Sequence, residues 1–207
     1  MSLRSDVAEL LAGAGILDVD VEDAVADEHV RSSAYRRVVS AVASSRSRDR
    51  DGDPDRDRDG DPDRDRDRDW DRDRATVATI LRDPVEIVSK TAVVDFVDRM
   101  AMKLTGPEEF RQWSAELLPE IDQLKGEGNR EFIRHRVHDW LFYLSIKDGH
   151  VSTTSAELAK VTPWMQRVLA EGATSSAVLA LLAESGSSKK IRNIARNRAG
   201  SRTRRRQ

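Results

Sequence analysis

Residues 83–104 read DPVEIVSKTAVVDFVDRMAMKL, and this stretch decides the fold class. Its apolar side chains recur at i, i+3, i+4, i+7 and i+11: Val93, Phe96, Val97, Met100 and Leu104. Residues at these intervals lie on one side of an α-helix. Asp83 is a preferred N-cap residue and Pro84 suits the first helical position. We therefore predict a helix that begins here and buries this face.

Two more amphipathic helices are predicted downstream. After Gly106 and Pro107, a second apolar face consists of Phe110, Trp113, Leu117, Ile121 and Leu124. Pro119 is expected to kink or split this helix, because proline cannot donate the helical hydrogen bond. Asn129 is predicted to cap a third helix, whose core face consists of Ile133, Val137, Trp140, Leu141 and Leu144. We predict that the three helices form a bundle in which the side chains of Trp113 and Trp140 bury large surface areas.

Short helices are predicted between residues 150 and 186, which completes a main helical domain over residues 75–186. Thr153 and Thr154 precede the first of them, Thr162 with Pro163 starts the second, and Ser175 begins the third. Two neighbouring pairs of segments loosely resemble helix-turn-helix units: 156–161 with 164–169, and 176–185 with 189–199. Only the second pair has a glycine in its turn, Gly186, and its second helix carries the most side chains able to read bases.

Residues 1–45 are predicted to form a small acidic helical unit. Asp6 and Glu9 fit a capping box for a helix over residues 7–12. The acidic residues between 18 and 28 lack the glycine and the final glutamate of a calcium loop, so a solvated acidic face is predicted. A valine-rich face follows at Tyr35, Val38, Val39 and Val42. A unit this small is near the lower limit for an independent core, so we expect it to dock on a partner or on the main domain.

Residues 46–74 have low complexity. The octad RDRDGDPD occupies residues 48–55 and repeats at 56–63, and a degenerate third copy has Trp70 in place of proline. The segment holds 10 Arg and 13 Asp in 29 residues. So few apolar groups cannot offset the entropy lost on ordering, and we predict a disordered linker.

Composition excludes several functional classes. The 207 residues are 38% apolar and 35% charged, and they contain no cysteine. Disulfide scaffolds, thiolate zinc sites and cysteine nucleophiles are thereby excluded, and a reducing compartment is favoured. The N-terminal stretch lacks the long apolar run of a signal peptide, and no run of eighteen apolar residues is available to span a membrane. We expect a cytoplasmic protein.

His135, His138 and Asp139 form the one pattern that suggests catalysis or metal binding. Histidines three residues apart can share a helix face and a metal ion. The zinc signature HExxH, however, needs a spacing of four and an intervening glutamate, and Arg134 and Arg136 would repel a cation. We interpret the pattern as a polar helix face. No nucleophile–base set or phosphate loop occurs elsewhere, so no catalytic residue, metal ligand or cofactor is predicted, and the protein is not expected to be an enzyme.

The positive charge is concentrated in residues 187–207, SSKKIRNIARNRAGSRTRRRQ, here called the basic segment. This segment has nine Lys and Arg, and no acidic residue follows Glu184. Residues 1–188 hold 26 basic and 37 acidic residues, whereas the net charge of the whole chain is −2. Such asymmetry indicates interaction with nucleic acid or with another anionic surface.

Within the basic segment, Ser187 or Ser188 is expected to cap a helix over residues 189–199 with a narrow apolar stripe at Ile191, Ile194 and Ala195. Gly200 is expected to end that helix, and residues 201–207 to form a disordered basic extension. Arg and Asn match the hydrogen-bonding edges of guanine and adenine. The predicted nucleic-acid contacts are Lys189, Lys190, Arg192, Asn193, Arg196, Asn197, Arg198, Arg202, Arg204, Arg205 and Arg206.

The leading hypothesis is a non-enzymatic protein that binds DNA or RNA, acting as a regulator or accessory factor. The alternative is an interaction or adaptor module, in which residues 1–45 hold a protein partner across the linker. In that case the valine-rich face and the positions of Trp70 and Trp164 matter more than the arginines. A third reading is that the basic segment only aids solubility.

Overall fold

The computed structural model describes residues 2–50, 62–147, 154–173 and 175–205, with side chains over 2–45, 66–147, 154–173 and 175–201. Every regular element in these ranges is an α-helix, which confirms the predicted all-α fold class. None of these helices is both long enough and apolar enough to cross a membrane.

The described chain contains eleven helices in two compact units. They are α1 (Leu3–Gly13), α2 (Val21–Ala26), α3 (Glu28–Arg50), α4 (Pro62–Leu81), α5 (Glu86–Lys103), α6 (Pro107–Ile121), α7 (Glu127–Lys147), α8 (Ser155–Ala159), α9 (Pro163–Gly172), α10 (Ser176–Ser185) and α11 (Lys189–Arg205). The first unit consists of Met1–Leu104 and Phe110–Arg134, and the second of Thr105–Glu109 and His135–Gln207.

The core of the first unit is built around α5. All five residues of its predicted apolar face are buried, and α5 packs against α3 and α4. Trp113 of α6 is fully buried, with its ring edge-on to Phe96 at a centroid distance of 5.6 Å. The indole Nε1 of Trp113 donates to Asp73 Oδ2 of α4 at 2.9 Å, so the polar atom of this side chain is satisfied inside the core.

The N-terminal helices belong to this same unit. α1, α2 and α3 pack on one another, and α3 lies along α5. The valine-rich face is therefore internal, because Tyr35, Val38, Val39 and Val42 are all buried. This face is therefore not available to a protein partner, although the adaptor alternative also invoked Trp70 and Trp164.

A buried ion pair joins α2 and α3 to the loop between α4 and α5. The guanidinium of Arg31 donates to Asp83 Oδ2 at 2.6 Å, and both side chains are almost completely shielded from solvent. Arg31 also donates to the carbonyl oxygens of Ala24 and Val25 in α2. The Tyr35 hydroxyl donates to Asp83 at 3.0 Å, and its burial, reinforced by the carboxylate, raises the pKa of Tyr35.

Two predicted helix starts in this unit are wrong. The N-cap of α1 is Ser2 rather than Asp6, whose carboxylate is instead bound by Arg82 at 2.7 Å. Likewise α5 begins at Glu86, while Asp83 accepts a hydrogen bond from the Val85 amide and pairs with Arg31. In both cases the carboxylate pairs with an arginine, so both partners of the hydrogen bond are charged.

The junction of α6 and α7 also differs from the prediction. α6 is not split at Pro119, since the helix continues to Ile121. The proline lies in its last turn. α7 begins at Glu127, so Asn129 lies inside it and its amide donates to Glu86 at 2.8 Å. This bond, together with those from the Lys125 and Gly126 amides, lowers the pKa of Glu86.

The predicted linker extends too far at its C-terminal end, because residues 66–74 belong to α4. Residues 46–50 are the last five residues of α3. Residues 62–74 form the first part of α4, in which Asp73 is buried. The third octad copy carries Arg68 and Trp70 where the first two copies have glycine and proline, so it lacks the residues that break helices. Its alternation also places opposite charges three residues apart, as in the 3.1 Å pair of Asp69 and Arg72. Residues 51–61 lie outside the described chain.

Candidate nucleic-acid interface

The helices that position the basic segment lie in the second unit. α9, α10 and α11 pack on one another, and α8 packs on α10. The predicted caps are confirmed: Thr154, Thr162 and Ser175 each accept a hydrogen bond from a backbone amide in the first turn of α8, α9 and α10. Ser188 does the same for Ile191 at the start of α11. These local bonds fix where each short helix begins.

Gln166 of α9 links three parts of this unit. It is buried, and its amide nitrogen donates to the carbonyl oxygens of Leu158 and Val161 at 3.0 and 3.1 Å. Its amide oxygen accepts from the backbone amide of Ser187 at 2.8 Å. One side chain therefore holds the end of α8 and the turn that leads into α11. The sequence analysis missed this residue, because a lone glutamine carries no signal that distinguishes a buried position from an exposed one.

The turn between α10 and α11 has too little room for a side chain at Gly186. A Cβ atom at Gly186 would lie 2.6 Å from the carbonyl oxygen of Leu182 and 3.0 Å from the Ile191 side chain. The φ angle of Gly186 is −58°, so its conformation is open to any residue. The carbonyl oxygen of Gly186 accepts from Arg192 at 2.6 Å, which ties α11 to the end of α10.

Replacing Gly186 with alanine should lower the free energy of unfolding by about 1–3 kcal/mol, because backbone rather than a flexible side chain must move. Chemical denaturation followed by circular dichroism measures this loss. Gly172→Ala is the matched control, since a Cβ atom there meets nothing within 4 Å. Equal stability of the two variants would contradict the predicted crowding.

The inner face of α11 packs against α9 and α10. Ile191 and Ala195 are buried and Ile194 is half-buried, in agreement with the predicted apolar stripe. Arg198 donates to the carbonyl oxygen of Ala170 near the end of α9 at 3.1 Å. Arg192 and Arg198, both among the predicted contacts, thus have hydrogen-bond partners within the second unit.

The outer face of α11 carries the other five predicted nucleic-acid contacts of its first three turns, those besides Arg192 and Arg198. Lys189, Lys190, Asn193, Arg196 and Asn197 are all exposed. Arg196 donates to the side-chain oxygen of Asn193 at 3.1 Å, so these two forked groups lie together. Within the part of the chain that the structure describes, no carboxylate forms an ion pair with Lys189, Lys190 or Arg196. The outer face is therefore a cationic surface with hydrogen-bonding side chains and no internal counter-charge.

The predicted end of this helix at Gly200 is wrong, because α11 continues to Arg205. Glycine disfavours a helix but does not by itself end one. The backbone stays helical here, and the Ser201 hydroxyl donates to the carbonyl oxygen of Asn197 at 2.8 Å. The side chains of Arg202, Arg204, Arg205 and Arg206 lie outside the described residues.

The two units differ in their net charge. The second unit contains 13 Lys and Arg against 7 Asp and Glu, whereas the first contains 22 against 30. The excess lies in the basic segment, because the rest of the second unit has 4 Lys and Arg against 7 Asp and Glu. An anionic ligand would therefore be attracted to α11.

The three residues of the His135–Asp139 pattern do not act together. His135 and His138 are exposed, whereas Asp139 is buried. The Asp139 carboxylate accepts from the Thr162 amide at 3.0 Å and also from the Thr162 hydroxyl. Asp139 therefore fixes the start of α9. In the described ranges, no group of three His, Asp or Glu side chains is placed to hold a metal ion.

We compared the chain with models of protein families, with curated proteins and with solved structures, and none of these comparisons finds a match. The class that its fold and charge define is a small all-α protein that presents a basic helix. What this protein does is inferred below from its own residues and geometry.

Proposed function

We propose that the protein binds DNA or RNA through the outer face of α11 and the arginines that follow it, without catalysing a reaction. The observation that carries this proposal is the exposed, uncompensated positive charge of Lys189, Lys190 and Arg196. Lysine and arginine side chains on such a surface neutralise phosphates and release counterions, which supplies much of the affinity for nucleic acid. The cytoplasmic location stays a prediction.

The roles divide between the two faces of α11. Arg192 and Arg198 orient the helix through their bonds to Gly186 and Ala170, so they support the interface without reading bases. Arg196, Asn193 and Asn197 offer forked donors and acceptors that match base edges, while Lys189 and Lys190 suit phosphate contacts. Arg202, Arg204, Arg205 and Arg206 extend the phosphate contacts along the strand.

The combined variant Lys189→Ala, Lys190→Ala and Arg196→Ala should weaken binding and flatten its salt dependence. Each phosphate contact contributes roughly 0.9 to the slope of log K against log salt for duplex DNA, so up to about 3 should be lost. Fluorescence anisotropy with labelled DNA and RNA at several salt concentrations measures both quantities.

The matched control removes three other exposed cations, by Arg36→Ala, Lys125→Ala and Lys160→Ala. It changes the net charge of the chain by the same amount. Affinity and slope close to those of the unmodified chain are expected for the control. Equal losses in both combined variants would show that only the overall charge matters, and no loss in either would overturn the proposal.

A further inference from the structure

A partly exposed aromatic cluster lies at the start of α9 in the second unit. Trp164 is 38% exposed, although large aromatic side chains are usually buried. Its ring lies edge-to-face with the buried Trp140 of α7, with centroids 5.9 Å apart. The ring centroids of Trp140 and Tyr143 are in turn 5.3 Å apart. The indole of Trp164 is thus supported from inside and open to solvent on the outside.

A cation is stacked on this indole. The guanidinium carbon of Arg136 lies 3.5 Å from the centroid of the Trp164 ring, and Arg136 is half-buried. At this distance the two planar groups are in van der Waals contact, and the pair is stabilised by a cation–π interaction. The indole and the guanidinium form a stacked pair of planar groups that is partly exposed to solvent, here called the Trp164 platform.

The position of the platform is fixed by neighbouring bonds. Thr162 caps α9 and is bonded through its amide and its hydroxyl to Asp139 of α7. Arg136 and Trp140 lie on the same helix, on either side of Asp139 in sequence. The indole therefore keeps its orientation in the absence of a ligand, so binding pays little entropy to order it.

We infer that the Trp164 platform stacks a base of a single-stranded nucleic acid, an inference that rests on the proposed function. Tryptophan and arginine planes stack on unpaired bases, whereas the bases of a duplex are already stacked on one another. The positive charge of the basic segment, which belongs to the same unit, complements the phosphates of such a strand. Trp164 lies six residues before Ala170, about 9 Å along α9, and Ala170 accepts the hydrogen bond from Arg198 of α11.

The test compares single strands with duplex on the full chain. The probes are oligo(dT), oligo(U) and a DNA duplex, each of about 20 nucleotides, longer than the site of one small domain. Trp164→Ala should lower affinity for the single strands roughly 5- to 150-fold, the range observed for loss of one stacked base. Duplex affinity and the salt slope should stay unchanged. Trp164→Phe should retain most of the affinity, because a smaller ring still stacks.

A second measurement uses the unmodified chain and so avoids any effect on folding. An oligo(dT) that carries one 5-bromouracil should crosslink on irradiation to a peptide that contains Trp164. Crosslinks that form only elsewhere would overturn the inference, as would equal losses of single-strand and duplex affinity in Trp164→Ala.

Failure of this inference is distinguishable from failure of the proposed function. If the combined α11 variant weakens binding but Trp164→Ala does not, the interface on α11 stands and the platform is rejected. If the unmodified chain binds none of the three probes at low salt, both are rejected.

Discussion

Replacing Arg31 with methionine should lower the free energy of unfolding by about 3–5 kcal/mol, because the Asp83 carboxylate would stay buried without its cation. The side chains of this pair are 4% and 0% exposed, so water cannot replace the lost partner. The carbonyl oxygens of Ala24 and Val25 would lose a donor in the same step. Urea denaturation followed by circular dichroism measures the change.

The control for this prediction is an exposed ion pair of the same kind. Arg167 pairs with Glu171 at 2.8 Å, and about half of each side chain is exposed. Arg167→Met should change stability by no more than about 0.5 kcal/mol, the usual contribution of a helical surface pair. If Arg31→Met costs as little as Arg167→Met, the buried pair does not hold α2, α3 and the start of α5 together as the structure indicates.

The helices and their buried faces were predictable because they depend on local spacing. The apolar face of α5 and the caps at Thr162, Ser175 and Ser188 follow from residues within one or two turns of each other. The incorrect helix starts share a different cause. Asp6 and Asp83 have the composition of caps, but their partners Arg82 and Arg31 lie 76 and 52 residues away in the chain. No local pattern reveals such a partner.

The candidate site was predictable in charge but not in orientation. Sequence alone placed Arg192, Arg196 and Arg198 in one set, because all three are arginines on one short helix. Their division into an inner and an outer face depends on how α9 and α10 pack against α11. The carbonyl oxygens that bind Arg192 and Arg198 belong to Gly186 and Ala170, and only the folded chain brings them close.

The Trp164 platform shows the same limit. Trp164 is one of the aromatic residues that the adaptor alternative emphasises, and it is 38% exposed. Arg136 had been considered only as a charge beside two histidines, whereas the fold stacks it on Trp164, 28 residues further along the chain. A stacking surface made from two helices is a tertiary property, so it requires the structure.

Gln166→Leu should be among the most destabilising single substitutions in the second unit. Leucine is close to glutamine in size, so little cavity is created, but three backbone groups lose a hydrogen bond: the carbonyl oxygens of Leu158 and Val161 and the amide of Ser187. The Leu158 oxygen still accepts from the Val161 amide, and Ser187 is exposed, so the Val161 oxygen is affected most. A buried polar group left unsatisfied costs about 1–3 kcal/mol. We expect a loss of about 2–3 kcal/mol, measured by thermal or urea unfolding. Gln123→Leu, at an exposed position, should change stability by less than about 0.5 kcal/mol.

The same substitution should also loosen α11, because Ser187 leads directly into that helix. Faster hydrogen exchange at the amides of residues 187–195 is expected, together with weaker nucleic-acid binding even though no contact residue has changed. Losing the Ser187 bond frees the start of the helix, so Lys189 and Lys190 are no longer held in place. If exchange in α11 stays slow while stability falls, Gln166 supports only α8 and α9. In that case the orientation of the outer face rests on Arg192 and Arg198 alone.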